Sequence, residues 1–78
     1  MQTLNQISNG QSVLIKAVSN SELKIKLIEL GLIEGQVLSV LFRAPLGDPM
    51  AIDIDGSVLS LRLSEAELIQ VDHLTSLG

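Results

Sequence analysis

From Met50 to Asp55 the chain alternates inward and outward positions, meets Asp55-Gly56, and alternates again from Ser57 to Leu63. An Asp-Gly pair between two such runs marks a two-residue hairpin, because its turn positions need φ above zero and these residues tolerate it. Met50, Ile52 and Ile54 then share a face, as do Leu59, Leu61 and Leu63, while Ala51, Asp53 and Asp55 point to solvent. A chain built round this hairpin is committed to antiparallel sheet. At 78 residues it has room for one core, so residues 1–78 read as a single domain. Apolar residues make up 46% of it and nearly all are aliphatic, enough to fill such a core without cross-links. With no Cys, disulfides and thiolate metal sites are excluded.

Other strands follow the same logic. Ser12 to Val18 is rich in β-branched residues and lies after the Asn9-Gly10 turn signal; Leu4 and Ile7 precede it. Gln36 to Arg43 is a second long strand, with Leu38, Val40 and Phe42 as its inward face. Ala44 to Pro49 is a loop whose Pro45 presets φ and whose Gly47 closes the turn; pairing resumes after Pro49, which has no N–H to donate. Leu68 to Val71 is a last short strand. Ser64 and Glu67 have capping-box spacing for one helical turn at about 64–67. The stretch from Asp72 to Gly78 carries little signal, and fraying is expected there.

Leu23 to Gly35 breaks the β pattern. Leu23, Leu27 and Leu30 fall on one helical stripe, and the stretch from about 20 to 31 reads as a helix. Ser19, boxed with Glu22, and Ser21 compete to cap it. Gly31 suits the left-handed position that ends a helix, letting Leu32 fold back onto it. Ile25 and Ile28 point nearly opposite to the leucine stripe. Either a neighbouring segment covers them or they form a face for another protein. Five short strands and one inserted helix, joined by tight turns, give a mainly β fold. It is a small, bent antiparallel barrel of SH3-like type.

Composition removes several functions. The net charge of −4, with only five basic residues and no run of them, opposes nucleic-acid and anionic-lipid binding. The N-terminus has no signal-peptide pattern, and no apolar run is long enough to span or insert into a membrane. The expected location is the cytoplasm. One histidine, His73, supports no catalytic triad, and no phosphate-cradling glycine pattern occurs, so no enzyme and no cofactor are expected. Asp48, Asp53, Asp55 and His73 supply no first shell, so no metal site is expected either. What remains is binding. Ile25, Ile28, Leu30, Gly31, Leu32 and Ile33 crowd a helix end, and Ile25, Ile28, Leu32 and Ile33 exceed what a core this small can take. Pro45, Leu46, Gly47 and Asp48 form a loop that can rim a groove beside it. An aromatic-lined groove for proline-rich peptides is excluded by composition, with one Phe and neither Trp nor Tyr.

The strings Leu27-Ile28-Glu29-Leu30-Gly31-Leu32, Gly35, Arg43-Ala44-Pro45-Leu46-Gly47-Asp48-Pro49 and Leu59-Ser60-Leu61-Arg62 with Glu65-Ala66 together resemble the ferrous-iron transport protein A family, FeoA. The resemblance runs from the first strand to about Val71. It implies an SH3-like barrel in the bacterial cytoplasm. It also implies an accessory or regulatory role beside FeoB, the membrane ferrous-iron transporter that carries a GTPase domain. Two positions depart from the family pattern: Glu34 stands where many relatives have Pro, and Ile25 where they have a polar or basic residue. A second reading comes from a different class. SH3-like domains of similar sequence close the metal-dependent repressors of diphtheria toxin repressor type, and a detached domain of that kind would sense metal or bind a peptide. A homo-oligomer that buries the helix face against itself is a third.

Overall fold

The computed structural model describes residues 2–74. Six strands form one antiparallel sheet: β1 (Gln2–Thr3), β2 (Ser12–Val18), β3 (Val37–Arg43), β4 (Met50–Ile54), β5 (Ser57–Leu61) and β6 (Ile69–His73). Their order is β1-β6-β2-β3-β4-β5, so β1 and β5 are the edges. Helix α1 (Lys24–Glu29) interrupts the connection from β2 to β3, and α2 (Leu63–Ala66) the one from β5 to β6. The sheet curls round a core of Val13, Ile15, Leu38, Val40, Ile52, Ile54, Leu61, Ile69 and Val71. The hairpin forms as its sequence dictates: Asp55 and Gly56 adopt φ of 51° and 82°, and Ile54 stands opposite Ser57.

Several boundaries differ from the sequence reading. The edge strand β1 was not anticipated, nor the 3-10 turn at Leu4–Gln6 whose Leu4 joins Ile7 in the core. The helix expected over 20–31 is confined to six residues, with hydrogen-bonded turns at either end. The helical turn begins at Leu63 instead of Ser64. β6 runs on to His73, two residues beyond the expected end; the fraying foreseen for the tail falls largely on residues 75–78, outside the described residues.

The largest correction is at the end of β3. Val40 pairs with Ile52 and Phe42 with Ala51, which leaves Leu41 as an extra, bulged residue. One inserted residue reverses the face of everything after it, because strand side chains alternate with period two. Phe42, expected inside, is therefore 59% exposed. Ala51, expected outside, is buried although Met50 and Ile52 on either side of it fill the core face, so its burial does not come from the bulge. The same slip aims Arg43 at the N-terminal segment. Its Nη2 donates to the carbonyl oxygens of Asn5 at 3.1 Å and Ile7 at 2.7 Å, and its Nη1 to Asn9 Oδ1 at 2.6 Å. These bonds fasten the turn that carries Leu4 and Ile7 over one end of the barrel.

Arg43→Ala removes all three donors and leaves partly buried carbonyls unpaired. A loss of roughly 2 kcal/mol is expected, lowering the melting midpoint by about 8–16 °C for a domain of this size. Thermal unfolding followed by circular dichroism measures it; a shift below about 3 °C would show that Arg43 does not hold the segment.

Candidate functional site

Helix α1 is too short to persist by its own hydrogen bonds, so its position is set by what holds its ends. At the N-terminus Leu23 is the cap residue and no side chain caps the helix, so neither Ser19 nor Ser21 fills that role; Ser21 Oγ accepts the Leu23 N–H at 3.2 Å in the turn before it. At the C-terminus Gly31 takes φ of 97°. The Gly31 N–H donates to the Ile28 carbonyl at 2.9 Å and the Leu32 N–H to the Leu27 carbonyl at 3.0 Å. These are the two bonds of a Schellman cap, and that motif folds the residue after the glycine back against the helix. Leu32 is accordingly buried with Leu27 in the core. Leu32 was expected on a contact surface; its place is packing. The expected leucine stripe is also corrected, since Leu30 is exposed and Leu23 only half-buried.

The remaining apolar residues of this stretch stay outside. Ile25 is 70% exposed, and Ile28, Leu30 and Ile33 are exposed as well. Ile28 and Ile33 line an open hollow of about 260 Å³ with Ala17, Val18, Lys24 and Glu34. Ile33 also borders a second hollow of about 220 Å³, formed with Leu30, Gly31, Ile54 and Ser57. Ile28, Leu30, Gly31 and Ile33 thus act as one surface with a hollow on each side, and Ile25 stands out from it on the helix.

The loop behaves differently. Pro45 is exposed and Leu46 is 97% exposed, and neither lines a hollow with the helix. Gly47 turns the chain with φ of 90°, its N–H donating to the Ala44 carbonyl at 2.7 Å. Asp48 Oδ1 accepts the Leu63 N–H at 3.1 Å and so caps α2 from across the fold. Only Pro49 meets α1 across a hollow, one of about 280 Å³ that it shares with Lys26, Ser60, Arg62 and Glu65.

Lys26 and Glu65 were not singled out in the sequence, yet they tie α1 to α2. Lys26 Nζ lies 2.7 Å from Glu65 Oε2, and the Arg62 N–H donates to Glu65 Oε1 at 2.9 Å. Glu65, three residues after Arg62, therefore fills the capping role assigned to Glu67. The Lys26 hydrogen bond, then the Arg62 N–H, hold the Glu65 carboxyl below its ordinary value near 4.5, outweighing the burial that opposes them. Among the described residues no three His, Cys, Asp or Glu side chains stand close enough to hold a metal ion.

The family model of the FeoA domain matches residues 2–73. The chain belongs to the FeoA family. A solution structure of the FeoA protein from Chlorobium tepidum is 35% identical, with a TM-score of 0.87 over 95% of this chain and 71% of that one. The Stenotrophomonas maltophilia FeoA complexed with zinc is 26% identical, with a TM-score of 0.82 over 92% and 91%. That protein is described as a procaryotic SH3 domain, and a role as an activating factor of bacterial ferrous-iron transport has been put forward for it. This FeoA chain has the same SH3-like fold. A manganese-dependent transcriptional repressor superposes with a TM-score of 0.84 at 20% identity, over 94% of this chain and 41% of that one, a likeness of fold alone. No curated protein matches the chain.

Two expectations test this FeoA surface. Leu32→Ala costs about 2–5 kcal/mol of stability as a buried Leu→Ala change, whereas Leu46→Ala stays within about 0.5 kcal/mol; urea unfolding of both variants separates packing from display. Glu65 has a depressed folded pKa, so its stabilisation is complete above about pH 4.5 and lost as pH falls through the lowered value. Glu65→Gln is expected to cost roughly 1–2 kcal/mol at pH 7, discounted because the Lys26 side chain is more than half exposed. That gap closes on acidification, and unfolding curves between pH 7 and pH 3 check it; a constant gap would remove the ion pair as its source.

Proposed function

We propose that this FeoA protein is a non-catalytic accessory of bacterial ferrous-iron uptake that works in the cytoplasm and docks on the cytoplasmic part of a FeoB-type transporter. Family membership supports the process, and the role put forward for the Stenotrophomonas maltophilia protein points the same way. The observation that carries the docking step is the exposed aliphatic surface of Ile25 and Ile28 on α1 with Leu30 and Ile33 just beyond it, held outward by the cap that closes the helix. Burying what is exposed of these four side chains offers about 4–6 kcal/mol before association costs. That is less than the ~8 kcal/mol of a micromolar contact. The surface therefore acts with a polar rim, for which Lys24, Glu29 and Glu34 stand alongside, and the contact is transient in character. Among the described residues no helix is long and apolar enough to cross a membrane.

Immobilised protein should capture the transporter's cytoplasmic domain, and the intact detergent-solubilised transporter. Ile28→Glu should lose capture while keeping the circular dichroism spectrum of the wild type, because residue 28 is already half in water. Capture that survives this change would move the interface off the helix. Absence of capture under every nucleotide and iron condition would remove the docking reading altogether.

A further inference from the structure

β5 is an edge strand, and a hollow at each of its ends separates it from α1 or the turn that follows α1; the groove along β5 between these hollows is called the slot. In a two-residue hairpin the pair flanking the turn, Ile54 and Ser57, exchanges main-chain bonds, and every second pair after it does likewise. The N–H and C=O groups of Val58 and Ser60 consequently face away from β4. No turn or loop main-chain group bonds to either residue among the described residues. The far wall is α1 and its C-terminal cap, because Lys26 meets Ser60 and Arg62 across one hollow while Leu30 and Gly31 meet Ile54 and Ser57 across the other. The two hollows lie at opposite ends of β5, separated by the distance from Ser57 to Arg62, roughly 17 Å at ~3.4 Å per residue.

The ends differ in chemistry. At the Ser60 end Lys26 is engaged by Glu65, while the exposed Arg62 guanidinium has no acceptor within hydrogen-bond reach among the described residues. Two of the five basic residues of a chain with net charge −4 thus face this one hollow. At the Ser57 end the walls are the aliphatic Leu30, Ile33 and Ile54, with Asp55 at the rim. Such a slot is bounded by a helix on one side and a strand edge on the other. A single extended chain laid along this edge reaches both hollows, and an acidic group on it complements the uncommitted Arg62.

We infer that the slot takes an extended acidic-aliphatic peptide segment of a partner protein. The segment bonds the main chain of Val58 and Ser60, seats a carboxylate on Arg62, and places a Leu, Ile or Val side chain against Leu30, Ile33 and Ile54. Strand addition to an exposed edge gives affinity through main-chain bonds and specificity through such end pockets, and Arg is the cation suited to a two-pronged carboxylate contact. The inference rests on the proposed protein-binding role and adds the chemistry of the bound segment.

The test is selection of a phage-displayed library of random dodecapeptides on the immobilised full chain. Enriched peptides should carry Asp or Glu four to five residues from Leu, Ile or Val, and binding should shift the backbone amide signals of Val58 and Ser60. Arg62→Gln, checked for folding, should weaken the best peptide at least tenfold, and Arg62→Glu should prefer the same peptide with Lys in place of its acid. No enrichment over the unselected library overturns the inference, as does enrichment indifferent to Arg62. A dimer by light scattering with Val58 and Ser60 amides protected assigns the edge to a second copy and overturns it too. Transporter capture distinguishes the two levels: loss with Ile28→Glu alongside full capture by Arg62→Gln and no peptide selection defeats the slot alone.

Discussion

The Leu32–Leu27 main-chain bond is the contact on which the exposed surface of this FeoA protein depends. It closes a six-residue helix whose own hydrogen bonds are too few to hold it. Gly31 makes the bond reachable by taking a φ that any side chain would resist. With Leu27 and Leu32 locked in the core on either side of the cap, the helix cannot roll. A helix that cannot roll has no means of hiding Ile25, Ile28 and Leu30, and so the apolar surface is a consequence of how α1 ends. Lys26 and Glu65 add a second fastening on the opposite side, between α1 and α2.

A similar economy governs the other end of the barrel. The single bulged residue Leu41 exchanges the faces of Phe42 and Arg43. Without it Phe42 would enter the core, but the carbonyls of Asn5 and Ile7 would lose the guanidinium that pairs them. An aromatic ring left in water is tolerable, whereas partly buried carbonyls without donors are costly. The ledger of one residue's position thus includes a segment more than thirty residues away.

The sequence showed the hairpin, the core face of β4, the class of fold and the glycine that ends α1, because each rests on local periodicity or on a single residue's backbone preference. It did not show the bulge. Leu38, Val40 and Phe42 alternate without a break, and what overrides them is the distant demand of Asn5 and Ile7 for Arg43. The capping pair of α2 was misplaced by two residues for a related reason. Ser64 and Glu67 match the usual residue types better than Arg62 and Glu65, but Asp48, fifteen residues upstream, already serves the Leu63 N–H and fixes the helix start. Of the candidate contact residues, Ile28, Leu30, Gly31 and Ile33 come together as one surface, while Leu32 goes inside and Pro45 and Leu46 stand apart. The Leu32 outcome was readable, since a Schellman cap carries its own rule for the following residue.

The two fastenings of α1 differ in kind, and that difference matters for the proposed docking role. The apolar one is insensitive to solution conditions and keeps Ile28 and Ile33 at a fixed spacing over their shared hollow. The ionic one crosses the hollow that also holds Arg62, and its Lys26 side chain is more than half exposed. A ligand approaching that hollow meets a carboxylate already committed to Lys26 and a guanidinium that is not. Anionic groups therefore find one available cation there, and cationic groups find Glu65 taken. In the proposed slot, specificity at this end follows from which member of a three-charge cluster is left over, and the helix position, set by the cap at Gly31, decides it.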